Sequence, residues 1–386
     1  MQKFATLALA ATLATATLSA QAQITLDGTI SAAEIGTGTG KYASLGRFTT
    51  SHTPVPGGPT GFGNAGLLQL YGASSGSKLY VGIAGSIEAG GNCFQLWMDL
   101  PGRTGVPTGT PLPSIAGSAT VFGTFSGGSI GGTKMDQETD AAIAVTGQGD
   151  VQAAVYTSAT TGAAKSLGGG AAITTNGTPN TLAGTTGAYV IFRNARVSEK
   201  FTTGGLSNNP GNANGGGAGS DAIEYEFDNA ALGLPSGASI VRVMVAYVSG
   251  DAYWSSDIIP EIPNNGLNNL GFSPDFTTLA GTQSTAINLV VLSSRQADEA
   301  AVAMSVFPNP SAGTSTITYQ VADQAQPVAV EVLDLLGRSV QTLVRTPQTP
   351  GIHNLSVPAG TLAVGNYLVK VQVGDRVATR RLTVTE

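Results

Sequence analysis

Short segments that alternate apolar and polar residues follow one another from Met304 to the C-terminus. Such alternation places apolar side chains on one face of a strand and polar side chains on the other. Turn residues separate the segments at intervals of about 8 to 12 residues, which is typical of a small antiparallel sandwich. The alternating segments are residues 316–319, 328–333, 367–373 and 378–384, and the turns lie at 334–338, 350–351 and 374–375.

Scarce charge and abundant turn residues extend the β prediction to the whole chain. Charged residues make up 11% of the sequence, against about a quarter in an average domain, and the chain contains 53 Gly and 19 Pro. Its length of 386 residues exceeds what one core usually serves, so two units are expected. We predict an all-β protein, in which a β-sandwich with long Gly-rich loops precedes a small Ig-like C-terminal β-sandwich.

Charge and residue types exclude several classes of function. The 18 basic and 24 acidic residues give a net charge of −6, and no basic run favours nucleic acid. Two histidines, His52 and His353, leave little material for a His-based metal or catalytic centre. The one cysteine, Cys93, excludes an intrachain disulfide and is expected to be a small buried hydrophobe. We expect no cofactor, with Ca²⁺ on oxygen ligands as the one alternative left open.

The N-terminus has the pattern of a cleaved signal peptide. Lys3 precedes an uncharged run of Ala, Leu and Thr, and Ala20-Gln21-Ala22 forms a signal peptidase site, so cleavage is predicted before Gln23. A membrane anchor is the alternative, but the run is shorter than the roughly 20 residues that a span requires. The mature chain is therefore expected to have no transmembrane segment.

The C-terminal segment resembles the type A C-terminal sorting domain of the type IX secretion system. The matching pieces are residues 306–310 (VFPNP), 328–340 (VAVEVLDLLGRSV), 351–353, 362–367 and the final VATRRLTVTE. The resemblance implies a partner, the outer-membrane translocon, and a secreted or surface location. It divides the chain into a signal peptide (1–22), a cargo domain (23–295), a linker (296–303) and a sorting domain (304–386). The sorting motif is expected to comprise Pro308, Asn309, Pro310, Gly337, Arg338, Gly365 and Tyr367.

Parts of the cargo resemble DOMON-like sandwiches, including family 9 carbohydrate-binding modules. The pieces are residues 26–29, a hairpin at 78–99 that ends in Asp99, and segments 222–234 and 240–248. This resemblance implies a non-catalytic module that binds glycan or calcium, with polysaccharide as an expected partner.

Two aromatic-containing segments of the cargo provide candidate ligand-binding residues. On the strand 93–99, Phe94, Leu96 and Met98 are expected to face the core. Trp97 is then expected on the less buried face, where it forms an apolar platform if it is exposed. Residues 251–261 are expected to form a surface loop whose aromatic side chains either stack against a sugar ring or plug the end of the sandwich. The candidate ligand-binding residues are Trp97, Asp99, Tyr253, Trp254 and Asp257, and the candidate metal ligands are Asp251, Asp257 and Glu261.

Carboxylate groups keep an enzyme hypothesis open, because glycoside hydrolysis needs only two of them. Each group is read as a solvated face, a calcium site or a catalytic pair; the groups are Asp136, Glu138 and Asp140; Glu224, Glu226 and Asp228; and Asp251, Asp257 and Glu261. We predict no catalytic residue and rank a binding module first. A glycoside hydrolase is the rival, and a structural surface protein is favoured if the aromatic side chains are buried.

Overall fold

The computed structural model describes residues 24–50, 62, 64–88, 90–125, 128–168, 172–173, 176–200, 205–291, 294–322, 324–358 and 360–386. The predicted signal peptide, its cleavage site before Gln23 and His52 lie outside the described residues.

Antiparallel strands build the first part of the chain, here called the N-terminal sandwich (residues 24–291). In chain order they are β1 (Thr29–Ile30), β2 (Ala43–Arg47), β3 (Gly66–Ser75), β4 (Lys78–Ser86), β5 (Cys93–Asp99), β6 (Thr124–Phe125), β7 (Gly128–Ser129), β8 (Ala141–Thr146), β9 (Val151–Ser158), β10 (Thr161–Ser166), β11 (Asn180–Thr181), β12 (Arg196–Glu199), β13 (Ser220–Asp228), β14 (Gly237–Val248), β15 (Tyr253–Ile259), β16 (Gly271–Phe272) and β17 (Thr285–Val291). The short helix α1 (Asn229–Leu232) follows β13, and the 3-10 helices are Gly187–Phe192, Leu206–Asn208, Asn212–Asn214 and Phe276–Thr278.

Two large sheets share the main core. The first sheet has the order β11-β12-β13-β4-β3-β2, with β1 also paired to β13. The second has the order β10-β9-β8-β5-β14-β15-β16, with β17 also paired to β14. Their facing side chains form one apolar cluster, to which the first sheet contributes Val81 and Tyr225 and the second contributes Phe94, Leu96 and Met98. The prediction that Phe94, Leu96 and Met98 face the core is confirmed.

Each large sheet is also covered on its outer face. Residues from the segments 24–42 and 206 pack on the outer face of the first sheet, against Tyr71 and Tyr80. Residues between 106 and 135, together with Ile262 and Phe276, pack on the outer face of the second sheet. The central strands are consequently buried on both faces, as β4 and β14 illustrate. This double covering explains how a fold of this size functions with so few charged residues.

The last part of the chain forms a second, smaller sandwich, here called the C-terminal sandwich (residues 305–386). Its strands are β18 (Ser305–Phe307), β19 (Ser315–Val321), β20 (Gln326–Leu333), β21 (Ser339–Gln348), β22 (Gly351–Val357), β23 (Gly365–Val373) and β24 (Arg376–Val384). They form a three-stranded sheet, β18-β19-β22, and a four-stranded sheet, β21-β20-β23-β24. Alternate residues of β20 are buried, as the sequence pattern predicts, and Val328, Val330 and Val332 join a core of their own. The all-β prediction is confirmed in both parts of the chain.

Helix α2 (Ser294–Val302) precedes the C-terminal sandwich and packs on it. Val302 is fully buried in the core of that sandwich. The Asp298 carboxylate accepts a hydrogen bond from the Val377 backbone N–H at 3.4 Å, and Glu299 pairs with Arg380 at 3.2 Å. The segment predicted as the linker, 296–303, therefore contains a helix that is anchored to β24.

Among the described residues, no helix is both long enough and apolar enough to span a membrane.

Candidate functional site

The proline-flanked Asn309 ties the start of the C-terminal sandwich to its last strand. Its side-chain amide donates to the Arg381 carbonyl at 2.6 Å and accepts from the Thr383 N–H at 2.9 Å. Ser311 continues this contact, since its N–H donates to the Thr383 carbonyl at 2.9 Å. An asparagine amide can do this because it carries both a donor and an acceptor, like a peptide group. Asn309 thus fixes the first matched piece of the sequence to the last.

The turn between β20 and β21 is held by a single carboxylate. Asp334 Oδ1 accepts from the Leu336 and Arg338 N–H groups at 2.9 Å each, and Oδ2 accepts from Arg338 Nε at 2.6 Å. These bonds, above all the one from the Arg338 backbone, lower the pKa of Asp334. Gly337 has φ of +82°, a conformation that favours glycine. The turn predicted at residues 334–338 is confirmed.

Residues at the start of β23 lie beside the end of β24. Gly365 pairs with Val384, and the side-chain Oδ1 of Asn366 accepts from Arg381 Nη2 at 2.7 Å. The Tyr367 hydroxyl donates to the Ala363 carbonyl at 2.9 Å, which closes the turn before the strand.

Strand register gathers the expected motif residues at one end of the C-terminal sandwich. Leu333, at the end of β20, pairs with Leu368 near the start of β23, so the 334–338 turn and Gly365 lie at the same end. Gly365 pairs in turn with Val384, which is bridged to Ser311 beside Pro310. We call this end, comprising residues 308–311, 334–340 and 364–367, the motif end.

The aromatic candidates of the N-terminal sandwich are buried instead of exposed. Trp97 and Trp254 each have 0% of their surface exposed, and their rings stack with centroids 5.9 Å apart. Phe122 and Phe276, from the covering segments, contact them edge-on at 5.6 and 5.2 Å. Trp97 is therefore not exposed as an apolar platform, because the covering segments fill that face. The surface loop predicted for residues 251–261 is wrong, since Tyr253–Ile259 form the strand β15, on which Trp254 is buried. The role of Trp97 and Trp254 in this fold is that of core residues.

Tyr253 is the one aromatic candidate that reaches the surface. It is half-buried, and its ring lies 5.1 Å from that of Phe272 on the paired strand β16. Phe272 is 57% exposed. Phe272 could not be singled out from the sequence, because it lies in a loop-like segment rich in Asn and Gly. Its pairing with Tyr253 becomes visible only in the structure.

The three predicted metal ligands have separate partners. Asp257 is buried and accepts from the Leu67 N–H at 3.0 Å. Asp251 accepts from the Ser249 hydroxyl. Glu261 accepts four hydrogen bonds, of 2.6 to 3.1 Å, from the amides and hydroxyls of Thr49 and Thr50.

The donors from Thr49 and Thr50 also affect the pKa of Glu261. Partial burial acts to raise the pKa of this carboxyl, but the four hydrogen bonds outweigh the burial and lower the pKa. Within the described part of the chain, no three His, Cys, Asp or Glu side chains converge in a manner suited to a metal ion.

The carboxylates near residue 138 hold loops to the second sheet. Asp140 is buried and accepts from the Leu100 N–H at 2.7 Å, while Glu138 accepts from the Gly105 N–H at 2.9 Å. Asp136 accepts from the Gln283 N–H. Burial raises the pKa of Asp140 to about 6, with the charges of Glu138 and Asp99 adding to the effect. The candidate Asp99 is half-buried, and burial raises its pKa as well.

The carboxylates of β13 also have structural partners. Glu224 is fully buried and accepts from the N–H groups of Asp27 and Gly28 at 3.0 and 2.8 Å and from the Tyr42 hydroxyl at 3.0 Å. Burial, followed by the nearby charge of Glu34, raises the pKa of Glu224 to about 8. The solvated-face reading fails for Glu224, because the segment 24–42 covers this face of the sheet.

The other two members of that group bind close neighbours. Glu226, also buried, forms a two-point ion pair with Arg196, with N–O distances of 3.0 and 2.6 Å. Asp228 caps helix α1 through the N–H groups of Ala230 and Ala231.

Sequence reasoning missed a buried acid in the main core. Glu199 is 1% exposed, and neither of its carboxyl oxygens has a hydrogen-bond partner within the described residues. Burial raises its pKa well above the ordinary value. Its place in the alternation of β12, two residues after the core residue Val197, is the signal that could have found it.

Comparisons with known proteins identify only the C-terminal sandwich. Residues 305–385 match the family described as the secretion system C-terminal sorting domain. No curated protein matches the chain. The comparisons do not confirm the resemblance of the cargo to DOMON-like or family 9 carbohydrate-binding sandwiches.

Three solved structures are similar over long stretches at low identity. Dimeric latent PorU from Porphyromonas gingivalis is 12% identical, and the match covers 80% of this chain and 31% of that chain with a TM-score of 0.19. A polysaccharide lyase is 9% identical, with 89% of this chain and 39% of that chain covered and a TM-score of 0.19. The BSP domain of a biofilm associated protein is 9% identical, with 93% of this chain and 52% of that chain covered and a TM-score of 0.18. The chain therefore spans 31 to 52% of these proteins. TM-scores this low support no argument about fold or function.

The family match covers residues 305–385, which is almost the whole C-terminal sandwich. The C-terminal sandwich is a sorting domain of the type IX secretion system, and the protein is a secreted or cell-surface cargo of that system.

Proposed function

We propose that the exported N-terminal sandwich is a non-catalytic structural protein of the cell surface or extracellular matrix. One observation carries the proposal: nearly all the side chains predicted from the sequence to bind a ligand or metal are buried in a core or bonded to other parts of the chain. Trp97 and Trp254 fill a core, and most of the nominated carboxylates accept backbone N–H bonds from other segments. A side chain that satisfies a buried donor is costly to divert to a ligand.

The same observation weighs against the glycoside hydrolase. Such an enzyme needs two carboxyl groups about 5 to 9.5 Å apart on either side of an open cleft. Asp140 and Glu224 are buried and already bonded to the backbone. A cavity of about 290 Å³ lies on the C-terminal sandwich, and no carboxylate lines it; the lining residues are Pro327, Val328, Ala329, Arg345, Thr346, Pro347, Gln372 and Gly374.

Glycan binding at Tyr253 and Phe272 is the second candidate function. Planar aromatic rings that reach solvent present an apolar face to the C–H groups of a pyranose ring. The exposed Phe272 and the adjacent Tyr253 supply such a surface. The proposal assigns no calcium to Asp251, Asp257 and Glu261, because each of these carboxylates has its own donors.

Export and cargo function are tested separately. Deleting residues 304–386 should leave the chain in the periplasm of a bacterium that carries a type IX system; surface delivery without them would contradict the export role. The purified mature chain should release no sugar from a panel of polysaccharides, and turnover of any of them would revive the hydrolase.

A pull-down on insoluble polysaccharides, with and without millimolar calcium, separates the two non-catalytic candidates. Binding that is lost in Phe272→Ala but retained in Ile240→Ala, a matched exposed residue on β14, would favour the glycan-binding function. Absence of binding to every polysaccharide supports the structural one.

A further inference from the structure

Exposed apolar side chains are concentrated on the C-terminal sandwich. Among the described residues, nine large apolar side chains are exposed, and six of these nine lie in residues 305–386, which form about a fifth of the chain. Those six are Phe307, Leu335, Leu336, Val340, Ile352 and Val364. The N-terminal sandwich, with more than three times the length, exposes only Val190, Ile240 and Phe272 among its described residues.

Four of the six lie at the motif end. Leu335 and Leu336 form the tip of the β20–β21 turn and are 64% and 80% exposed. Val340 follows the same turn, and Val364 directly precedes Gly365. Ile352, in contrast, pairs with Gln320 next to the Val321–Gly351 pair, at the opposite end of the sandwich. The register therefore separates an apolar group at the motif end from an equally exposed residue far from it.

The turn that presents the two leucines is fixed in shape. Asp334 binds the N–H groups of Leu336 and Arg338 and the Arg338 guanidinium, while Gly337 donates to the Asp334 carbonyl at 3.0 Å. Because the turn is already rigid, it loses less conformational entropy when it binds a partner. A turn serving only to reverse the chain would carry polar residues at its tip. A group of exposed apolar side chains on a surface of fixed shape is a feature of protein-binding sites.

We propose that Leu335 and Leu336, with Val340 and Val364 beside them, insert into an apolar pocket of the type IX translocon. This inference rests on the export role of the sorting domain and names the side chains that carry recognition. Asn309, Asp334 and Gly337 act as positioning residues, because their contacts are internal and set the shape of the motif end.

The test uses the full chain in a bacterium that carries a type IX system. Leu335→Ser with Leu336→Ser should lower the ratio of surface to periplasmic protein by about 10-fold or more, since truncating apolar anchors weakens binding at least that much. Ile352→Ser is the matched control, because Ile352 is 71% exposed in the same domain but at the opposite end. It should be exported like the wild type.

A crosslinking measurement keeps the test independent of export yield. A photo-reactive amino acid at position 336 should give a covalent adduct with a translocon component, and the same amino acid at position 352 should not. Thermal unfolding of the purified double variant should match that of the wild type, because both leucines are exposed.

The possible outcomes separate this inference from the export role. Wild-type export of the double variant, or equal crosslinking from positions 336 and 352, would overturn the epitope while leaving the sorting domain intact. Export of the chain that lacks residues 304–386 would overturn the export role itself. Loss of export together with loss of the 336 adduct, in a folded double variant, supports the epitope.

Discussion

Replacing Glu224 by Gln should make the N-terminal sandwich more stable than the wild type, by an amount that grows as the pH rises. The pKa of Glu224 is about 8 in the folded chain, against an ordinary value of 4.5. Between these values the folded state holds a proton that the unfolded chain releases, so the stability of the wild type falls with increasing pH. The loss is at most about 1.4 kcal/mol per pH unit, or on the order of 3 kcal/mol at pH 7.

Glutamine reproduces the protonated form of this carboxyl group. Its carbonyl oxygen can accept the N–H groups of Asp27 and Gly28, and its amide can donate to the Tyr42 hydroxyl oxygen. Glu224→Gln should therefore match the wild type near pH 4.5 and exceed it progressively up to pH 8. The pKa of Glu199 is raised as well, but Glu199 is present in both proteins, so its contribution cancels in the difference between them.

Urea unfolding followed by tryptophan fluorescence measures this difference selectively. The chain contains two Trp, and both lie in the N-terminal sandwich. Glu261→Gln provides a control of opposite sign: the folded pKa of Glu261 is lowered, so its stabilising contribution is present at neutral pH and is lost as the pH falls through that pKa. A difference between Glu224→Gln and wild type that stays constant from pH 5 to 8 would refute the buried-acid argument.

Two further predictions concern packing. Val302→Ala should destabilise the C-terminal sandwich by about 1 to 3 kcal/mol, because Val302 of helix α2 is buried in that core. The rate of amide hydrogen exchange in β24 should rise, while the urea midpoint detected by tryptophan fluorescence stays unchanged. Unchanged exchange in β24 would contradict the assignment of α2 to the C-terminal sandwich. Trp97→Ala should lower the free energy of unfolding by about 3 to 5 kcal/mol in the same urea experiment, because Trp97 is fully buried. Phe272→Ala should change it by no more than about 0.5 kcal/mol, because Phe272 is exposed. Equal effects of the two substitutions would contradict this difference in burial.

The C-terminal sandwich could be predicted closely from the sequence because strands such as β20 and β23 bury one face only. Alternation in residues 328–333 and the Asp334–Gly337 turn therefore carried direct structural information. The N-terminal sandwich breaks this relation, since its central strands are covered on both sides. Trp97 was assigned to a less buried face by a rule that holds for sheets with one solvated side. Widely spaced residues such as Leu112, Phe122 and Ile130, within Gly- and Thr-rich sequence, supply the cover that the rule omits.

The partners of the carboxylates could not be predicted, because they are distant in sequence. Glu224 binds backbone groups 196 and 197 residues away, and Glu261 binds Thr49 across 212 residues. Acid spacing along one strand shows which face a carboxylate takes, but not which loop reaches that face. Three acids with alternate spacing are equally consistent with a metal site and with three separate loop anchors, and only the tertiary structure separates these readings.

The covering segments explain why so many of the carboxylates accept hydrogen bonds from backbone N–H groups. Segments such as 24–28 and 100–105 contain little regular structure, so their N–H groups lack strand or helix partners where they cross a sheet. A buried N–H without an acceptor costs about 1 to 3 kcal/mol. Carboxylates of the sheets and adjacent segments, including Glu224, Asp140 and Glu138, meet that requirement. These buried anchors and the aromatic side chains in the cores are not available to a partner. Among the described residues, the exposed apolar side chains are instead concentrated on the C-terminal sandwich, and four of them lie at the motif end, which is why the proposed recognition surface is placed there.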